Sequence, residues 1–352
     1  MQPIEGHSSW RVSSSVAAIP LMAVAMIALT GLAAEVVVRS SVLRTRIPLP
    51  SVGVPSRLVD QHIHQMEELE RNGADLDCVI VGNSLPLLGT EPDVLAAAFA
   101  ERTGKRLSCY DFGVPGVRAD GAAVFARVFS EDYSPWLLIY ATSARDFVVD
   151  EDGIRIETVP WLQYRAGELA PEGWLVDHSD AYRYYLTYRI WSEPNRRRFV
   201  NYRFPTTKRG FLNTRTGFKM DLDAFAPQIK APLIERLAKG VSEAQFDGLR
   251  RLLELHQPSR QVVILEMPGA PALGNSLGDE VPNYDAIVDR MRSEAARSGV
   301  PYWRLTEAGV IPDNGWVDLW HMNRRGAAGF SRWLAGRIAD ALASGELVRP
   351  RP

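Results

Sequence analysis

The segment DCVIVGNSLPLLGTEPD, residues 77–93, decides the fold. A short apolar run rich in β-branched side chains, closed by Gly82-Asn83-Ser84, has the pattern of a strand buried on both faces. A helix is predicted to start after Thr90-Glu91-Pro92-Asp93 and run to about Thr103. The same alternation repeats outward. RLSCYDFG (106–113), WLLIYA (136–141), RQVVILEM (260–267) and VPYWRL (300–305) read as four more strands. Amphipathic stretches near 120–131, 242–256, 283–298 and 324–343 read as helices between and after them. Strand, helix, strand, helix is the signature of an α/β domain whose parallel sheet is covered on both faces. Such sheets bind and react at the C-terminal ends of their strands, which puts Ser84 where a nucleophile is needed, with Gly82 allowing a tight turn beside it.

At the other end of the domain stand Val317-Asp318-Leu319-Trp320-His321-Met322-Asn323, then Arg324-Arg325-Gly326 and the last helix. A carboxylate three residues before a histidine can fix the imidazole tautomer and aim the ring at the sheet edge. Either motif alone is weak, because Gly-Asn-Ser turns and Asp-x-x-His pairs are common. Both at the expected ends of one α/β domain are hard to ascribe to chance.

These blocks resemble the SGNH (GDSL-like) hydrolase superfamily, over roughly 77–146 and 260–343. Gly82-Asn83-Ser84-Leu85 is similar to its first block, with Asn83 where Asp is more usual. Tyr110-Asp111-Phe112-Gly113-Val114-Pro115-Gly116 is similar to the second, and Asp318 to His321 with Met322, Asn323 and Gly326 to the last. The resemblance implies a flavodoxin-like three-layer sandwich with a central parallel sheet. It also implies a catalytic set of Ser84, Asp318 and His321, and an oxyanion hole that includes the backbone N–H groups of Ser84 and Gly116. The third block departs: Ala141-Thr142-Ser143-Ala144-Arg145-Asp146-Phe147 puts Arg145 where the family has an oxyanion-binding asparagine. Arg145 either donates to the oxyanion in its place or pairs with Asp146 or another carboxylate.

Composition narrows the function. Lys plus Arg is 40 against 42 for Asp plus Glu, a formal net charge of -2, so no basic excess favours nucleic acid. Two cysteines, Cys78 and Cys109, and six histidines without an H-E-x-x-H pair suggest neither a metal site nor a disulfide framework. Both cysteines read as small buried hydrophobes. No cofactor is expected: no G-x-G-x-x-G or G-x-x-x-x-G-K-[ST] follows a strand, which argues against a nucleotide-binding domain.

Residues 1–11 read as an N-terminal tail and 12–38 as a transmembrane helix, because Val12 to Ala34 carries no charge. A cleaved signal peptide is the rival, though its apolar core is usually shorter. Arg39, Arg44 and Arg46 after the span favour a cytoplasmic domain, yet a long domain can cross regardless of such charges. The expectation is a single-pass membrane protein with its catalytic domain extracytoplasmic. Residues 39–57, rich in Pro, Ser and Arg, read as a linker. The domain then spans 58–345, with an insertion at about 150–240 and a C-terminal tail at 346–352. In the insertion AYRYYLTYRIW (181–191) and NRRRFVNYRF (195–204) interleave tyrosine and arginine. Such a face suits either packing with snorkelling Arg stems or a polysaccharide or anionic head group.

The expected function is a membrane-anchored esterase or O-acyltransferase acting on an acylated cell-envelope glycan or exopolysaccharide, working with polysaccharide-biosynthesis partners. The alternative is a non-catalytic SGNH-like module for glycan binding or assembly of a membrane complex, which the altered third block favours.

Overall fold

The computed structural model describes residues 14–40, 47–149, 153–155, 158–194, 196–213, 234–235, 238–271 and 282–350. The expected N-terminal tail and parts of the linker and insertion fall outside them. Five predicted strands form, four of them shorter than the predicted run and β3 shifted by one residue: β1 (Cys78–Gly82), β2 (Cys109–Gly113), β3 (Leu137–Thr142), β4 (Gln261–Glu266) and β5 (Tyr302–Arg304). All neighbours pair in parallel, in the order β2-β1-β3-β4-β5. Every residue of β1 to β4 is buried, as their unbroken apolar runs require. Cys78 and Cys109 lie side by side in register as buried free thiols.

The chain reverses its direction of winding between β1 and β3, and both faces of the sheet are covered. α1 (Ser14–Arg39) and α2 (Arg57–Arg71) precede β1, and α3 (Ser84–Gly89) and α4 (Pro92–Thr103) follow it. α5 (Ala119–Asp132) joins β2 to β3. α6 (Pro160–Arg165), α7 (Pro171–His178) and α8 (Asp180–Trp191) belong to the insertion. α9 (Glu243–Leu253), α10 (Pro282–Arg297) and α11 (Arg324–Ser344) complete the domain. α4 packs on α11, and α5 packs on α9. This is the flavodoxin-like three-layer sandwich, with its crevice between β1 and β3.

The linker differs from its expectation. Leu49, Ser51, Val52 and Val54 are buried, and the backbone of this stretch is bonded to α8: Thr187 Oγ1 donates to the Leu49 carbonyl at 3.0 Å and Ser51 N–H to the Arg183 carbonyl at 3.2 Å. Arg57 ties it down further, donating to Leu49 O (3.0 Å), Asp60 (2.7 Å) and Val200 O (2.8 Å). Three apolar side chains among prolines are too few to show a period in the sequence, yet enough to fix the segment once α8 offers a surface.

The insertion is fastened to the sandwich through arginines. Arg165 reaches Glu131, Asp132 and Asp177 at 2.8–3.1 Å, and Arg183 reaches Glu67 at 2.7 Å. Tyr184 is buried while Tyr185 and Tyr188 face outward, so this face both packs and remains available. α1 is an apolar helix whose Pro20–Arg39 stretch has mean hydropathy 2.3, with no part of it buried.

Candidate active site

β1 ends where the three layers meet. Gly82 lies in register with Gly113 of β2 and Ala141 of β3. Its φ is not positive; what this position demands is the missing side chain, since a Cβ there would lie 2.2 Å from the Ala141 carbonyl oxygen. The chain therefore turns at Asn83, whose side chain caps α3 by accepting from Leu85 N–H at 2.7 Å. Ser84 is the first residue of that helix. Neither its backbone N–H nor that of Gly116 has a partner among the described residues. Gly116 has φ +83, a left-handed conformation that suits glycine, and its carbonyl accepts from Ile154 N–H at 2.9 Å. Val114 N–H bonds the Gly82 carbonyl at 2.9 Å, which holds the loop carrying Gly116 beside the serine.

From the other end of the chain, residues 316–323 fold into a tight loop. Val317 N–H bonds the His321 carbonyl at 2.8 Å, and Asp318 Oδ1 accepts from Trp320 N–H (2.7 Å) and His321 N–H (2.8 Å). Asn323 then caps α11, accepting from Arg325 and Gly326 N–H. The loop presents the imidazole to the serine: Ser84 Oγ lies 2.8 Å from His321 Nε2, and His321 Nδ1 lies 2.7 Å from Asp318 Oδ2. Burial acts to raise the Asp318 carboxyl, but the hydrogen bond from His321, its charge and the two backbone donors outweigh it and hold the group below its ordinary value. Asp318 thus stays ionised and fixes the proton of His321 on Nδ1, leaving Nε2 free to accept.

A strand-end serine in line with an imidazole and a carboxylate, on a sheet of order 2-1-3-4-5, is the arrangement that the resemblance implies. The fold is a flavodoxin-like three-layer sandwich. Neither a protein-family model nor a curated protein sequence matches this chain. Among solved structures it is similar to a carbohydrate acetylesterase from Sinorhizobium meliloti, at 9% identity and TM-score 0.36 over 76% of this chain and 99% of that one. It is likewise similar to a lipase/acylhydrolase from Enterococcus faecalis (12%, TM-score 0.35, 79% and 100%). A family 3 carbohydrate esterase from Clostridium thermocellum matches at 12% and TM-score 0.34, over 76% and 99%. Identities this low carry neither a substrate nor a reaction to this chain.

The altered third block of the SGNH-like domain has a structural logic that single residues did not reveal. Asn83 Nδ2 lies 2.7 Å from both carboxylate oxygens of Asp146, which also accepts from Thr142 Oγ1 at 2.9 Å and from Ser143 N–H at 3.3 Å. Burial pushes the Asp146 carboxyl up, with the Arg145 charge and these hydrogen bonds opposing. The carboxylate is fully engaged, and no ion pair joins it to Arg145. The Arg145 guanidinium stacks instead on the Trp320 ring, 4.9 Å from its centroid, and makes no hydrogen bond or ion pair among the described residues. Trp320 immediately precedes His321, so the Arg145 cation sits beside the loop that carries His321.

A second group behind the nucleophile also escaped the sequence reading. Thr90 Oγ1 lies 3.0 Å from the Pro86 carbonyl and 2.8 Å from Asp111 Oδ2. One hydroxyl proton cannot serve both acceptors. Burial pushes Asp111 up to about 8, so its carboxyl is neutral near pH 7 and can donate to Thr90, which in turn donates to Pro86. That chain braces the end of α3. His62 is likewise buried and neutral, lowered to about 3 by burial, with Nδ1 2.8 Å from the Tyr110 hydroxyl and Nε2 3.1 Å from the Gly113 carbonyl. Its role is to hold β2 to α2. Among the described residues no cluster of His, Cys, Asp and Glu is arranged to hold a metal.

Proposed function

We propose that this chain is a membrane-anchored serine esterase or O-acyltransferase of SGNH type, acting on ester-linked acyl groups of a cell-envelope glycan or exopolysaccharide. The observation that carries the chemistry is the unbroken line from Ser84 Oγ through His321 to Asp318, at 2.8 and 2.7 Å. His321 Nε2 takes the Ser84 proton as Oγ attacks the ester carbonyl. The tetrahedral oxygen develops negative charge, and the donors available to it are the Ser84 and Gly116 N–H groups and the Arg145 guanidinium. Collapse breaks the bond to the leaving alcohol, which departs with the proton from imidazolium and leaves an acyl group on Ser84. Water, or a sugar hydroxyl, then gives its proton to His321, attacks the acyl carbonyl and regenerates Ser84.

The glycan part of the reading is supported by the apolar helix α1 and by outward-facing Tyr185, Tyr188 and Tyr202 in the insertion, rings suited to sugar faces. A domain beyond that helix, on the extracytoplasmic side, meets such polymers. The test is labelling of the full chain by a fluorophosphonate, followed by turnover of a simple acetyl ester. Covalent labelling that disappears in Ser84→Ala, together with ester cleavage, is expected. An unlabelled chain without turnover would return it to the class of binding modules.

A further inference from the structure

We propose that the stretch Leu169 to Leu175 lies in the interfacial layer of the same bilayer that α1 enters, wedging Leu169 and Trp174 into lipid beside the anchor. This rests on the reading of α1 as a membrane anchor. The uncharged part of α1 runs from Ser14 to Ala34, and Glu35 is the first charged residue after it. At about 1.5 Å per residue that part covers about 30 Å, the thickness of the hydrocarbon core, so Glu35 stands at its edge, at the depth of the head groups.

Glu35 is where the domain is attached. Its carboxylate accepts from Ser179 Oγ (2.9 Å), Asp180 N–H (2.9 Å) and Ala181 N–H (3.1 Å), and Arg39 closes the site at 2.7 Å. The junction between α7 and α8 is thereby held level with the membrane surface. Trp174 and Leu175 lie four to five residues before Ser179 on α7, within about 8 Å of that level along the chain.

Their exposure fits lipid better than water. Among the described residues outside α1, eight large apolar or aromatic side chains are exposed, and six of them fall between Leu169 and Tyr202. Leu169 is 98% exposed at the tip of the turn between α6 and α7, and Trp174 is 49% exposed with its ring stacked on His178. A solitary leucine in water gains nothing there, whereas leucine and tryptophan at head-group depth are stabilised by lipid. Glu172 pairs with Arg189 (3.0 Å) and Tyr182, and Asp177 with Arg165 (3.1 Å), while the exposed Glu168 beside Leu169 has no ion pair among the described residues. Such an edge suits neutral rather than anionic lipid.

Both native cysteines are buried, so a nitroxide goes to an introduced one. Leu169→Cys, Trp174→Cys, Ile27→Cys in α1 and Ala296→Cys on α10 are made in the full chain, which is placed in discs of phosphatidylcholine. Collision with oxygen is compared with collision with a water-soluble nickel chelate. Labels at 169 and 174 are expected to be shielded from nickel at least threefold relative to 296 while staying open to oxygen. Nickel access equal to that at 296 overturns the proposal while shielding at 27 upholds the anchor. Loss of access to both agents reports a protein contact and also overturns it. Nickel access at 27 removes the anchor itself.

Discussion

The reactive edge of the sheet and the insertion are held together in opposite ways. At the edge, short backbone and side-chain bonds converge on a few atoms, and apart from Arg145 each polar side chain named there has a partner. In the insertion, long arginines reach across to acids on other elements, and the outward face is left uncovered. One region is built for fixed geometry at a point, the other for attachment over an area. Changes at the first should alter rate with little effect on folding, and changes beneath the second should alter stability with little effect on rate.

The largest departure is expected for Asp318→Asn. It keeps the shape of the loop but loses the anion that orients and steadies His321, so kcat on an acetyl ester should fall about 10⁴-fold with the melting temperature nearly unchanged. Arg145→Ala comes next. With no ion pair to lose among the described residues, and as the oxyanion donor proposed above, its loss should cost about 10² to 10³ in kcat, with partial recovery in Arg145→Lys. A loss confined to KM would assign Arg145 to substrate binding instead. The contrasting change is Asp60→Ala, under the insertion, which strands the buried Arg57 charge and should lower stability by about 3 kcal/mol in denaturant titration while kcat per folded molecule holds.

The smallest effect is one of pH. Asp111 titrates at about 8 in the fold against about 3.9 in an unfolded chain, so the folded state retains a proton that the unfolded state has released. Its contribution to stability is full below about pH 4 and is lost as pH rises through 8. Asp111→Asn supplies a permanent donor to Thr90. Its melting temperature should vary less between pH 5 and 8 and exceed that of the parent at pH 8. An unchanged dependence would mean that Asp111 is already ionised in the fold across this range.

The sheet was legible because buried parallel strands must be nearly continuous in apolar residues, and those of β1 to β4 are. Ser84 stood at the end of such a run and Asp318 and His321 just before the last helix, and the fold brings the three within hydrogen-bonding reach. What could not be read were relations across the fold. Nothing local to Asn83 announces Asp146, nothing local to Arg145 announces Trp320, and Thr90 with Asp111 meet only because α3 folds back over β2. That Asp146 bonds Asn83 rather than Arg145 is a fact held 63 residues away in the chain. The linker was misjudged for a related reason: its burial is supplied by α8, more than a hundred residues downstream.

The bond between Asn83 and Asp146 makes two of the motif positions a single unit. An acid at 83 would place two carboxylates within 2.7 Å in a buried site, a repulsion that the fold could relieve only by losing the charge at 146. The amide at one position and the acid at the other are thus complementary spellings of one contact. Asn83→Asp alone should leave one proton shared between 83 and 146, and exchanging both letters together should restore the contact with the two side chains reversed.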